Sequence, residues 1–226
     1  MPFYQDLDVE VAATTEIRAR TYELLARGYL QEPTAIYIEE LAKMVKLLQD
    51  DLYIPEGLTV TVNIDMGEIK QEFYDRFFVN VSAKYVPPFE SAIVERELNG
   101  NRIRFGPLNG PLTLHVRDCY QVSRFDPWKL DIFKPLQEIP IADYLGFELA
   151  FMAYLSFAEL EAYKTNRLQQ GLQWRQWQQR FLEQHLGRWI NDYALLACQT
   201  AGGFFGEIAK ISSAWVDADY QNNFQS

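Results

Sequence analysis

The residues able to do chemistry are few and widely spaced. Histidine occurs only as His115 and His185, cysteine only as Cys119 and Cys198. Ser91, His115 and Asp118 can be written as a nucleophilic triad. Without GxSxG, that triple is one of many that any chain of this length offers. Ser91 reads instead as a helix cap and His115 as a helix-surface residue. A di-iron bundle needs ExxH pairs on facing helices; Glu148, Glu159 and Glu161 are present but ExxH is absent. Two histidines cannot make a histidine-rich zinc centre, and no spacing to a cysteine or carboxylate supports another. No metal site and no catalytic residue is expected.

Phosphate chemistry is equally unsupported. GGFFG at 202–206 matches neither GxxxxGK nor GxGxxG, so Gly202 and Gly203 read as a helix break. Trp174, Trp177 and Trp189 are interleaved with Arg175, Arg180 and Arg188, a pattern that could stack bases. Their spacing suits helix packing better. Two features remain. Asp143 opens the most apolar stretch of the chain, where it either favours a positive helix end or meets a cationic ligand. The run KYVPPFES (84–91) bends at Pro87-Pro88, leaves carbonyls without local donors, and reads as a surface edge for peptide docking.

Helices must position these groups. Ile141, Leu145, Leu149, Met152 and Leu155 recur at spacings of four, four, three and three, predicting a central helix. Phe147, Phe151 and Tyr154 widen its apolar arc, and Pro140 suits its first turn. A first helix is expected near Thr14 or Thr15, after a loose lead-in, with Ile17, Thr21, Leu24 and Leu25 inward. Arg18, Arg20, Glu23 and Arg27 are placed in water. Further helices are expected over 34–50, 65–78, 112–123 and 172–196, with a last one through Phe204, Ile208, Ile211 and Trp215. A short helix should run from Glu90 to about Leu98 and end at Asn99-Gly100. Residues 52–62 are read as loop, 99–111 as a turn-rich hinge that could support a swapped homodimer, and 217–226 as a frayed polar tail.

The 226 residues are 48% hydrophobic, ample for a core, and carry a formal charge of -10. That balance offers no basic stripe for nucleic acid. An acidic N-terminus, two cysteines and no bilayer-length apolar run predict a cytoplasmic chain without membrane insertion.

Three segments carry a resemblance. FYDRFFVNVSAKYVPPFES (73–91) has a helix ending in a phenylalanine pair, then PP-aromatic-ES. IPIADYLGFELAFMAYLSFAELE (139–161) resembles an acidic residue followed by histidine-leucine and LxFMxxL. FLEQHLGRWINDYALL (181–196) pairs histidine-leucine with a following tryptophan. In combination and order they resemble the TorD/DmsD/NarJ family of molybdoenzyme maturation chaperones. That resemblance implies an all-α, compact multi-helix bundle forming one chaperone domain, without catalysis. The implied partner is a molybdopterin oxidoreductase precursor, bound at its N-terminal or twin-arginine signal region until cofactor insertion. A nitrate-reductase-type assembly factor without export proofreading is the alternative; a nucleotide hydrolase is the rival enzyme and a helical adaptor the generic reading. Tyr85, Pro87, Pro88, Phe89, Glu90 and Ser91 fall on the first motif. Asp143 falls on the acidic position, and Tyr144 replaces the usual histidine. These eight residues are the expected peptide-binding set, with Asp143 and Glu90 meeting signal arginines. Guanine nucleotide or molybdopterin binding is implied by the resemblance alone.

Overall fold

The computed structural model describes residues 2–225 except 52, 101 and 140, with only the backbone described over 2–10. Pro140 therefore lies outside the described residues. Helices dominate. They run α1 (Pro2–Leu30), α2 (Ala35–Asp50), α3 (Met66–Phe77), α4 (Glu90–Val94) and α5 (Pro111–Ser123), then α6 (Lys134–Gln137), α7 (Leu145–Lys164), α8 (Leu168–Gln184), α9 (Leu186–Ala201) and α10 (Gly203–Phe224). A 3₁₀ turn spans Pro127–Lys129. The fold is an all-α, compact multi-helix bundle. No described helix is long and apolar enough to cross a membrane.

Helix α7 is the axis. Residues Leu145–Ala153 are buried without a gap, more than two turns, so every side of the helix meets protein. Helix α1 packs along it, and α8 and α9 pack against other sides. The stripe Leu182, Leu186, Trp189, Tyr193 and Leu196 is buried as its spacing predicts.

Several expectations change. The lead-in is helical, since α1 starts at Pro2. Its inward face is also rotated: Ile17 is 39% exposed, whereas Arg18 is fully buried. Arg18 Nε lies 2.5 Å from Asp219 Oδ1, and its Nη1 lies 3.2 Å from Glu159 Oε2. Its Nη2 donates to Gln178 Oε1 at 2.6 Å, and Tyr22 Oη donates to Asp219 at 2.9 Å. Arg175 closes the set on Glu159 at 3.3 Å. Two cations therefore offset two carboxylates inside the bundle. The C-terminal segment is not frayed: α10 continues to Phe224, whose ring lies 4.9 Å from the Arg18 guanidinium.

The short helix stops at Val94, not Leu98. Residues Glu97–Asn99 and Arg102–Arg104 form an antiparallel hairpin, β1–β2, exposed along both strands. Asn99-Gly100 is its turn, with Gly100 at φ +62. At the other break, Gly202 and Gly203 both have positive φ, at 56 and 73. Glu72 of α3 accepts from the Phe204 and Phe205 amides beyond it, at 3.2 and 3.3 Å. Its neighbour Arg76 donates to the Ala197 and Gly202 carbonyls before it. An anion and a cation from one helix thus cap the start of α10 and the end of α9.

Candidate functional site

Two chain segments far apart in sequence meet at the start of α7. The extended backbone before α4 bridges Phe89 to Tyr144. Glu90 N–H donates to the Asp143 carbonyl at 3.0 Å, and Leu145 N–H to the Pro88 carbonyl at 2.9 Å. The proline bend leaves a free carbonyl, as its sequence requires, and α7 satisfies it. Asp143 sits before the N-cap, Tyr144, and is fully buried. Its Oδ2 accepts from Ser91 N at 2.8 Å and Ser91 Oγ at 2.6 Å; its Oδ1 accepts from Thr113 Oγ1 at 3.0 Å. Tyr144 Oη donates to the Tyr29 carbonyl of α1 at 2.7 Å. Burial drives the Tyr144 phenol well above its usual range, so it acts as a neutral donor.

The eight expected residues are thus brought to one place, but not to the surface. Pro87 through Ser91, Asp143 and Tyr144 are all buried, and Tyr85 is half-buried. The expected surface bend is an interior corner that ties α4, α5 and α1 to the head of α7. The pairing expected of Asp143 with a client arginine needs solvent access that this conformation lacks. A buried carboxylate with three donors is already satisfied.

Glu90 turns the other way. Its Oε2 lies 2.7 Å from His185 Nδ1, and His185 Nε2 lies 2.6 Å from His115 Nδ1. His185 reaches this position because the helix expected over 172–196 is two helices. His185 stands between α8 and α9 with φ -131 and ψ -102. Gly187 permits the tight step: a Cβ there would lie 2.6 Å from the Leu182 carbonyl oxygen. Cys119, one helical turn after His115, joins the pair. The ligand atoms of His115, Cys119 and His185 lie within 4.8 Å of one another. Burial, then the charge of Asp118, pushes the Cys119 thiol up to about 11. The signal for this cluster in the sequence was the i, i+4 pair His115 and Cys119; the third member is invisible there. They line a pocket of about 370 Å³ with Asp118, Trp177, Arg180 and Gln184.

Glu148, in the first turn of α7, is a third interior carboxyl here. Its Oε2 accepts from Trp189 Nε1 at 3.0 Å, while its Oε1 has no partner. Burial, then the charge of Glu90, raises its pKa well above the ordinary value; Asp143 adds to this, and the Trp189 bond opposes it. The folded protein therefore holds a proton that the unfolded chain has released. Stability falls as pH rises from the unfolded value near 4.5 through the folded one. Glu148→Gln keeps an acceptor for Trp189 and should flatten that fall. Urea midpoints of both proteins across this range check it; parallel curves would refute it.

A second surface feature lies on the opposite margin of α7. A groove of about 510 Å³ runs between α1, α7 and the 124–131 segment. Ala26, Ala150 and Ala153 are among its lining residues, with Leu30, Leu130 and Phe157.

The molecule is thus a helical bundle with a groove of mixed apolar and charged lining and a corner of interior polar groups. The family model described as "Nitrate reductase delta subunit" matches residues 37–194, more than half of the chain, and the chain belongs to that family. Its members are non-catalytic and serve molybdoenzyme maturation, which implies an oxidoreductase partner. No curated protein and no solved structure matches significantly.

Proposed function

We propose that this protein is a cytoplasmic assembly factor for a nitrate-reductase-type molybdoenzyme. It holds the N-terminal region of the catalytic subunit while the cofactor is inserted. The family match over 37–194 carries the reading, and that span contains the corner at 85–91 and 143–144. Within this proposal the eight corner residues act as a frame: they fix where α7 starts and so shape the surface beside it.

The α1–α7 groove is the proposed client seat. Its small residues let a helix backbone approach closely, and its apolar lining suits one face of an amphipathic segment. Guarding a twin-arginine signal is the narrower version of the same role. With Asp143 and Glu90 enclosed, the carboxylates at the groove are Glu23, Asp126 and Asp131, beside Arg27, Arg124 and Lys129. A client arginine at Glu23 or Asp126 has to displace the Arg20–Glu23 or Lys129–Asp126 pair.

Ala153→Phe fills the groove without touching the corner. The catalytic subunit's N-terminal peptide should bind this variant at least tenfold more weakly, a loss of about 1.4 kcal/mol. Titration calorimetry on folded protein measures it. Equal affinities would remove the groove from the reading. Failure of the full-length catalytic subunit to co-purify with the unaltered protein would remove the assembly role itself.

A further inference from the structure

The histidine–cysteine cluster plays no part in the client reading, and its geometry is that of a ligand set. His115 and Cys119 share one face of α5. His185 comes to them from the α8–α9 break. The His185 imidazole and Glu90 are both buried, so packing fixes the ring. With Glu90 as a carboxylate, its Oε2, 2.7 Å away, accepts from His185 Nδ1–H, and the Nε2 lone pair then faces the cluster. A carboxylate on the far nitrogen is the usual device for orienting a metal-bound imidazole. His115 Nδ1 and His185 Nε2 converge on the same space, 2.6 Å apart, and Cys119 Sγ borders it.

We propose that His115, Cys119 and His185 bind a divalent cation of the Zn²⁺ class, with the fourth position open to the adjoining pocket. Two imidazoles and a thiolate favour this class over Mg²⁺ or Ca²⁺, which take oxygen ligands. A tetrahedral ion with metal–nitrogen bonds of about 2.0–2.1 Å holds its two nitrogens roughly 3.3 Å apart. The imidazoles therefore separate by under ~1 Å. His115 is exposed and can make that movement by turning on its own side chain. On binding, its proton moves from Nδ1 to the outward Nε2, and the Cys119 thiol proton leaves to solvent through the pocket. A water completes the shell. The ion would fasten α5 to the α8–α9 break, directly behind Glu90.

The test uses the full chain, stripped with chelator and titrated with Co²⁺ alone, then with Zn²⁺. One Co²⁺ should bind per chain, with the intense visible bands of a tetrahedral site and a thiolate-to-cobalt charge-transfer band; Zn²⁺ should displace it. Cys119→Ser should lose the charge-transfer band, and His115→Ala should weaken binding at least tenfold. His185→Ala also strands Glu90 and endangers the fold, so the α5 substitutions carry the test. The proposal is overturned if the unaltered protein binds Co²⁺ no better than the His115→Ala/Cys119→Ser double variant. It is equally overturned if the bound ion gives only the weak spectrum of octahedral cobalt.

Discussion

Arg18→Ala should lower the free energy of unfolding by about 3–5 kcal/mol, the usual cost of removing one partner from a buried ion pair. The substitution leaves Asp219 and Glu159 enclosed, both with no exposed surface. Tyr22 still donates to Asp219, and Gln178 still donates to Glu159 at 2.7 Å, but neither supplies charge. Of the two carboxylates Arg175 reaches Glu159 alone, its other bond going to the Asn223 carbonyl. Against a typical stability of about 5–15 kcal/mol, such a loss moves a denaturation midpoint far. Arg20→Ala, two positions along on a water-facing side, is the control; it loses only an exposed pair with Glu23 and a stack on Phe157 and should move the midpoint far less. If the two variants unfold together, Arg18 is not enclosed in solution.

Asp143→Asn should cost about 2–3 kcal/mol in stability while leaving client affinity per folded molecule unchanged. The carboxylate accepts three bonds, two at Oδ2 and one at Oδ1. Ser91 Oγ and Thr113 Oγ1 each spend their only hydrogen on it, so their own 3.0 Å approach is a contact rather than a further bond. An amide offers one oxygen and turns an NH₂ towards at least one of these donors. A buried donor facing a donor loses its bond and its hydration together. Chemical denaturation and peptide calorimetry on the same preparations separate the two effects. Native stability combined with tenfold weaker binding would mean that Asp143 opens to meet the client directly.

The helices were legible wherever apolar residues repeat. The stripe from Leu182 to Leu196 and the wide apolar arc of α7 need only local spacing. The interior polar groups were not, because periodicity places any charge outside. Arg18 is buried by virtue of partners 141 and 201 residues away, and nothing near position 18 announces them. The break at His185 was hidden for a related reason. The apolar repeat runs straight through it, and Gly187 alone looks like a tolerated helical glycine. Asn99-Gly100 was read as a helix stop, although the same dipeptide is a hairpin turn. The strands beside it are exposed on both faces, so no alternation marks them. The corner was half legible: its residues were named together through the family motifs, but their direction, inward rather than outward, depends on Ser91 and Thr113 closing over Asp143.

The distance between Arg18 and Asp219 along the chain also sets a clock. At about 5–20 residues per second, synthesis delivers Asp219 roughly 10–40 s after Arg18, which lies 201 residues earlier. For that interval Arg18 lacks one of its two carboxylates, and only Glu159 of α7 can meet its charge. The interior charge of α1 is fully offset only when α10 arrives. The last helix to be made thus carries the counter-charge for the first, so a chain that lacks α10 should fold to a markedly less stable bundle.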